Sequence, residues 1–260
     1  MYRIAKPRGK RPHILFFDIE TSPLLIWAWG TREVDAIRVK REWHILCFAY
    51  KWQGGRAHFI REKQYRGDDR NVVRALWELF SLADVIVAHN LSRFDRRRAN
   101  ARFSHHGLTP PKPYMEVDTL RIARREFAFT SNRLDELGEY LGVGRKEKHD
   151  GIDTWLDFMG ERGAAAQRRA RAQMRRYNIR DVELLEKVYR KLLPWARGTP
   201  NMGLWRKGEY ACPACGSINV RKNGVRHTNT GVRQELLCND CGRHARVRKQ
   251  ETTTEKVMLV

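Results

Sequence analysis

His13-Ile14-Leu15-Phe16-Phe17-Asp18-Ile19-Glu20-Thr21 is the stretch on which the fold turns. Four apolar side chains in a row, Ile14 to Phe17, run into an acid with no helical period, which predicts a buried strand ending at Asp18. Asp18 and Glu20 stand at i and i+2, just past that strand. In an extended chain they point to the same side. Two like charges so placed are unfavourable unless a cation neutralises them. A divalent metal is the natural candidate, since hard cations take carboxylate oxygens and accept several acids in one site. The plain alternative is an acidic strand end facing water.

Outward from this stretch, Trp43 to Trp52 reads as a second strand. Gly54-Gly55 supplies a turn before a third piece, Ala57 to Ile60, and the three could form an antiparallel meander. Asn71 to Phe80 has helical spacing, and Asp84 to Ala88 is a second buried strand ending at His89-Asn90. A helix follows over Arg93 to His105. Val117 to Leu120 is a strand end or a helix start, and Asn132 to Leu141 is a short amphipathic segment stopped by Gly142. A long helix runs over Ala164 to Leu193, with an apolar stripe of Ile179, Val182, Leu185, Val188 and Leu192 and Pro194 to end it. Strands first and helices interleaved later predict a mixed α/β sheet.

The chain has 260 residues, 42% hydrophobic and 31% charged, enough apolar content to exclude wholesale disorder. No stretch approaches the ~18–20 apolar residues of a membrane span. Met1 to Arg11 is basic, broken by Pro7 and Gly9, and lacks the apolar run of a secretory signal, so a cytoplasmic protein is expected. Lys and Arg total 51 against 30 acids, a net charge of +21. The excess is spread along the chain, which predicts a polyanionic partner. No basic helix carries the Trp/Phe/Leu face needed to lie on lipid, so nucleic acid is expected and a membrane is not.

Two more acids follow strands and helices in a pattern. Asp95 closes His89-Asn90-Leu91-Ser92-Arg93-Phe94-Asp95, directly after the second buried strand, and Asp181 follows Tyr177 by four residues. On a helix those two side chains share a face. Phe-Asp-Ile-Glu-Thr, Asn-x-x-x-Phe-Asp and Tyr-x-x-x-Asp, in that order, resemble the three exonuclease motifs of the DEDD superfamily. These are RNase H-like 3′–5′ exonucleases, the proofreading domains of family B polymerases among them. The tyrosine points to the DEDDy branch, because the other branch needs a histidine where Arg176 stands. The resemblance covers roughly residues 12–195. It implies an RNase H-like mixed sheet flanked by helices, with Asp18, Glu20, Asp95 and Asp181 as ligands of two Mg²⁺ or Mn²⁺ ions and Tyr177 orienting the attacking water. It also implies hydrolysis from a 3′ end with release of nucleoside 5′-monophosphates, DNA being favoured over RNA, and single strands or 3′ ends as substrate. Asn90 and Phe94 of the second motif become substrate contacts. The other readings are a structure-specific endonuclease on the same fold and an inactive nucleic-acid-binding adaptor.

Arg93, Arg96, Arg97, Arg98 and Arg102 follow the second motif, and Arg168, Arg169, Arg171, Arg175 and Arg176 lead to the third. Beside proposed metal ligands, such runs read as a groove tracking a phosphate backbone, with Arg93 and Arg97 as substrate contacts. Asp118 either caps a helix or belongs to a segment shared with the exonucleases. Asp84 starts a strand, and His89 and His149 are structural or solvent-facing. Asp150 and Asp153 fall in a loop without a role. Trp27, Trp29, Trp43 and Trp52 could stack on bases but are better placed in the core.

Cys212-x-x-Cys215 and Cys238-x-x-Cys241, each followed by glycine, form a zinc-ribbon pattern in which four thiolates hold one structural Zn²⁺. Disulfides are the rival, without support from any sign of secretion. His227 and His244 could ligate only by displacing a cysteine, and Cys47 reads as a buried small residue. Asn223-Gly224 and Thr230-Gly231 look like turns. Arg221, Lys222, Arg226, Arg233, Arg243, Arg246, Arg248 and Lys249 suggest a ribbon that grips nucleic acid, with docking of a protein as the other option. Gln250 to Val260 carry no signal. The expected organisation is an exonuclease domain over 1–196, a linker over 197–207, and a zinc ribbon with tail over 208–260. A similar arrangement occurs in phage and bacterial exonuclease-like proteins with a four-cysteine tail.

Overall fold

The computed structural model describes residues 2, 4–9, 12–30, 32, 35–62, 67–147, 151–206, 210–229 and 231–248. The readings of His149, Asp150, Thr230, Lys249 and Gln250 to Val260 lie outside the described residues. The chain divides into two compact units, Met1–Leu192 and Leu193–Val260.

In chain order the first unit contains β1 (Ile14–Thr21), β2 (Leu25–Trp27), β3 (Arg38–Arg41), β4 (Ile45–Trp52), β5 (His58–Arg61), α1 (Arg70–Leu82), β6 (Val85–Ala88), α2 (Asp95–His105), β7 (Met115–Asp118), α3 (Thr119–Glu126), α4 (Leu134–Tyr140), α5 (Ile152–Met159) and α6 (Ala164–Leu192). Five strands form one mixed sheet in the order β5-β4-β1-β6-β7. β1 pairs antiparallel with β4, which pairs antiparallel with β5, and β6 and β7 run parallel to β1. The expected meander is therefore present, interrupted by a separate β2–β3 hairpin. Val117 to Leu120 is both things that its pattern allowed, the end of β7 and the start of α3.

The sheet is covered on both faces. Leu15, Phe17 and Ile19 pack with Val72, Leu76, Leu79 and Phe80 of α1 and with Ala99 and Phe103 of α2. On the other face, Leu46 and Cys47 of β4 meet Phe158 and Met159 of α5 and Ala170, Met174 and Tyr177 of α6. Phe16 points to this second face, edge-on to Tyr189 of α6 at 5.3 Å. Cys47 is fully buried, as its apolar neighbours predict. Between the layers, Asp69 fixes three elements: its carboxylate accepts from the Ile45 N–H at 2.8 Å and from Arg102 Nε at 2.8 Å, and it pairs with His106 Nε2 at 2.6 Å.

Several expectations need correction. Asp18 and Glu20 lie within β1 and not past it, because β4 continues to pair with them after β6 has ended. Asp153 is in the first turn of α5, a helix bounded by Gly151 and Gly160 that the sequence reading placed in a loop. Trp27 and Trp29 are not core residues: they sit on or beside the hairpin and are 58% and 95% exposed. Trp52 is buried, donating to the Ala5 carbonyl at 2.7 Å, while Arg98 stacks over the half-buried Trp43 at 4.1 Å.

The second unit holds a 3₁₀ turn (Met202–Trp205) and a three-stranded antiparallel sheet, β8 (Val220–Thr228), β9 (Gly231–Cys238) and β10 (His244–Arg248), with β9 in the middle. Within the stretch read as a linker, Met202 is buried and donates its N–H to the Pro213 carbonyl at 2.8 Å. Asn223-Gly224 is not a turn between strands. It is an irregularity inside β8, where the pairing with β9 shifts between Lys222 and Val225, as expected where an extra residue must be accommodated.

Candidate active site

Side-chain alternation along β1 puts Phe16, Asp18 and Glu20 on the face covered by α6. There Asn178 donates its amide to Asp18 Oδ2 at 2.6 Å. Tyr177 and Asp181 lie one helical turn apart on the same helix, both buried. Asp95 is the first residue of α2, buried at 2% exposure, and the Ile19 N–H bonds to its carboxylate. Four acids from three elements thus address one region at the end of the sheet where β6 stops.

The electrostatics state the consequence. Burial, and then repulsion from Asp181, push Asp18 up to about 7, against the pull of Lys146 and Asn178. Burial followed by Asp18 and Asp181 holds Glu20 well above the carboxylate range, and burial followed by Asp18 does the same to Asp95. Burial and Asp181 also raise Tyr177, so its phenol keeps its proton at neutral pH. Among the described residues one cation stands with these groups. Lys146, from the segment after α4, pairs with Asp181 Oδ2 and donates to the Tyr177 hydroxyl at 3.3 Å. Burial opposes its charge, but attraction to Asp181 and Asp18 wins and raises its pKa.

Asp95 Oδ1 is buried with no hydrogen-bond partner among the described residues. An all-oxygen donor set with such an orphan and one lysine against four acids fits hard divalent cations. No three of these carboxylates share the 4.8 Å spacing found among the thiols described below, within the described residues. Asp68, Asp69 and His106 do share it, but Asp69 is already committed to Arg102, His106 and the Ile45 N–H.

The loop between β6 and α2 is held by Asp118. Its Oδ1 accepts from the Asn90 N–H at 3.0 Å and the Leu120 N–H at 3.0 Å, and its Oδ2 from the Ser92 N–H at 3.1 Å and Ser92 Oγ at 3.0 Å. Asp118 therefore caps α3 and clamps the motif loop together. Asn90 sits at φ 72, a left-handed conformation that asparagine tolerates better than other non-glycine residues. His89 is structural, its two nitrogens bridging Thr119 Oγ1 and the Asn132 carbonyl at 2.9 Å each, and burial lowers its pKa to about 4. Phe94 is 36% exposed, and Arg93 and Arg97 are exposed. Lys146 and Asn178 escaped the sequence reading. The first lies 31 residues before Tyr177, and the second had no signal except its place beside the tyrosine.

In the second unit, Cys212, Cys215, Cys238 and Cys241 bring their sulfurs within 4.8 Å of one another, with Sγ–Sγ contacts of 3.6 Å and no disulfide. A tetrahedron of Zn–S bonds near 2.3 Å has edges of about 3.8 Å, so the spacing fits zinc. Gly216 and Gly242 follow the two pairs at φ 74 and 75, each closing a turn by donating its N–H to the carbonyl of the first cysteine at 2.9 and 3.0 Å. His227 and His244 are not part of the cluster. Arg226 and Arg246 both lie near Glu235, at 4.0 and 3.1 Å, and Arg243 donates to the Pro194 carbonyl at 2.6 Å. These basic residues are thus partly engaged within the ribbon.

No curated protein matches the chain. A family B DNA polymerase from the hyperthermophilic archaeon Pyrobaculum calidifontis is similar in structure, with a TM-score of 0.54 and 22% identity over 73% of this chain. The chain spans only 26% of that polymerase chain, and the likeness is one of fold. The family model described as the RNase_H superfamily matches residues 15–193, a span that contains all four carboxylates and, except for Ile14, the five-stranded sheet. The chain belongs to the RNase_H superfamily.

Proposed function

We propose that this protein is a metal-dependent 3′–5′ exonuclease of the DEDDy kind, acting on single-stranded or frayed 3′ ends of DNA in preference to RNA. The observation that carries the reading is the convergence of Asp18 and Glu20, half-buried, with Asp95 and Asp181, buried, the acids raising one another's pKa by repulsion, and Tyr177 one turn from the last. These four acids would hold two Mg²⁺ or Mn²⁺ ions, which supply activation of water and stabilisation of the departing 3′ oxygen. In the overall reaction a water oxygen bonds to phosphorus, the P–O3′ bond breaks, and a nucleoside 5′-monophosphate leaves a strand ending in a 3′ hydroxyl. Because Tyr177 keeps its proton, it acts by aiming the water and not as a base. Lys146 holds the tyrosine hydroxyl, and Asn178 holds one oxygen of Asp18. The four cysteines would hold one Zn²⁺ as a structural staple, with no open position for chemistry.

The test uses 5′-labelled single-stranded DNA and RNA of one sequence, with and without Mn²⁺, for the wild type and Asp18→Ala. The expected result is a metal-dependent ladder shortening from the 3′ end, absent in the variant and stronger on DNA. Internal cuts would replace the reading with an endonuclease, and binding without cleavage would replace it with an adaptor.

A further inference from the structure

The start of α2 carries arginines where they do not help the helix. Arg96 and Arg97 lie in its first turn and Arg93 just before it, next to the positive end of the helix dipole, which repels cations by about 0.3–1 kcal/mol each. Arg121, Arg124 and Arg125 of α3 face them across a cleft of about 590 Å³, whose lining also includes Asn90 and Asp118. Elsewhere in this unit several exposed arginines have acidic neighbours: Arg145 with Glu139 at 3.0 Å, Arg162 with Asp157 at 2.6 Å, Arg176 with Glu147 at 3.0 Å. In the cleft, among the described residues, Arg96 and Arg125 do, with Glu116 and Glu126. Among the described residues no carboxylate pairs with Arg93, Arg97, Arg121 or Arg124. The one acid in the lining, Asp118, already accepts from the backbone N–H groups of Asn90, Ser92, Leu120 and Arg121. Four uncompensated cations in one concave surface are a site for a polyanion.

The cleft does not end there. A second cavity of about 650 Å³ shares Asn90, Leu120 and Arg124 with it and is lined further on by Asn132, Arg133 and Lys146. Lys146 is the residue paired with Asp181. A path of two adjoining cavities therefore leads from Lys146, the partner of Asp181, to the arginines.

We propose that this path is a phosphate track: it holds the sugar–phosphate backbone of a single strand at positions 5′ to the scissile bond, without reading base sequence. The proposal deepens the exonuclease reading and rests on it for the polarity of the strand. It makes the enzyme length-dependent, since a dinucleotide reaches the carboxylates but not the arginines.

The test compares the full-length wild type, Arg121→Ala/Arg124→Ala, and a charge-matched control, Arg70→Ala/Arg74→Ala, whose side chains are exposed on α1. Binding of a long oligothymidylate is followed by fluorescence anisotropy across a salt series without divalent metal, and cleavage of a dinucleotide and of the long strand is followed with Mn²⁺. Each phosphate contact contributes about 0.7 to the slope of log K against log salt for a single strand. The cleft variant should therefore lose about 1.4 from that slope and the control nothing. KM for the long strand should rise at least about tenfold, with cleavage of the dinucleotide unchanged. An unchanged slope in the cleft variant, or an equal loss in the control, would overturn the track. Competition by polyglutamate as strong as that by the oligonucleotide would reassign the cleft to an acidic protein. If the wild type cuts nothing, the exonuclease reading falls while the slope comparison still decides whether the cleft binds strands.

Discussion

Lys146→Met should make the protein less stable without metal and a better metal binder. The ammonium pairs with Asp181, whose side chain is 1% exposed, while Lys146 itself is 27% exposed. A fully exposed pair is worth at most about 1 kcal/mol, and breaking a fully buried one costs about 3–5. One buried partner and one partly hydrated partner place the cost near 2 kcal/mol. For a unit of this size that corresponds to a fall in Tm of about 4–8 °C. The same pairing must be given up when a divalent ion takes Asp181. Removing it should therefore tighten Mn²⁺ binding by up to about 30-fold, the equivalent of that 2 kcal/mol. The assay is differential scanning calorimetry in metal-depleted buffer, followed by titration calorimetry with Mn²⁺. A chelator is avoided because it would also attack the four-thiol site. Methionine keeps the length of the aliphatic stem, so lost packing contributes little. A variant as stable as the wild type in metal-depleted buffer, with the same Mn²⁺ affinity, would refute the idea that lysine and metal compete for one carboxylate.

Arg102→Ala should cost about 3 kcal/mol or more in urea denaturation, because it strands the buried Asp69. Burial alone would raise Asp69, but hydrogen bonds from Arg102 and His106 outweigh it and lower its pKa. Its stabilising contribution is therefore complete above the unfolded value near about 3.9 and is lost as pH falls through the lowered one, so the acid limb of the stability curve should be flatter in the variant. Asp118→Ala removes the cap of α3, worth about 1 kcal/mol, together with its bonds to Asn90 and Ser92. Amide exchange at Asn90, Ser92, Leu120 and Arg121 should accelerate together, and exchange confined to Leu120 and Arg121 would count against a shared clamp. Cys238→Ser should abolish stoichiometric zinc in atomic emission and the amide protection of β8 to β10, and a fully protected sheet without zinc would exclude a structural metal.

What could be read beforehand was what depends on local pattern. Asp18 and Glu20 were legible because alternation along a strand is a property of the strand itself. Tyr177 and Asp181 were legible because four residues make one helical turn. Lys146 was not, since nothing local ties it to Asp181; only the packing of α4 against α6 carries the following segment there. Asn178 lies about 100° around the helix from Tyr177, and only the position of β1 turns that angle into a bond with Asp18. The hairpin β2–β3 escaped because its strands have three and four residues and little burial, too short for a period to show. The same weakness misplaced Trp27 and Trp29: a tryptophan predicts burial on average, and a hairpin edge can leave it in water.

The alternation along β1 has a further consequence for how this chain can change. Odd-numbered Leu15, Phe17 and Ile19 serve the core under α1, and even-numbered Phe16, Asp18 and Glu20 serve the face under α6. Inserting or deleting one residue before Asp18 would swap the two sets, driving two carboxylates into hydrocarbon and two apolar side chains into the acidic site. Parity thus binds reactivity to folding in this strand. Substitutions can disarm the acids and leave the molecule standing, whereas a change of length removes both at once.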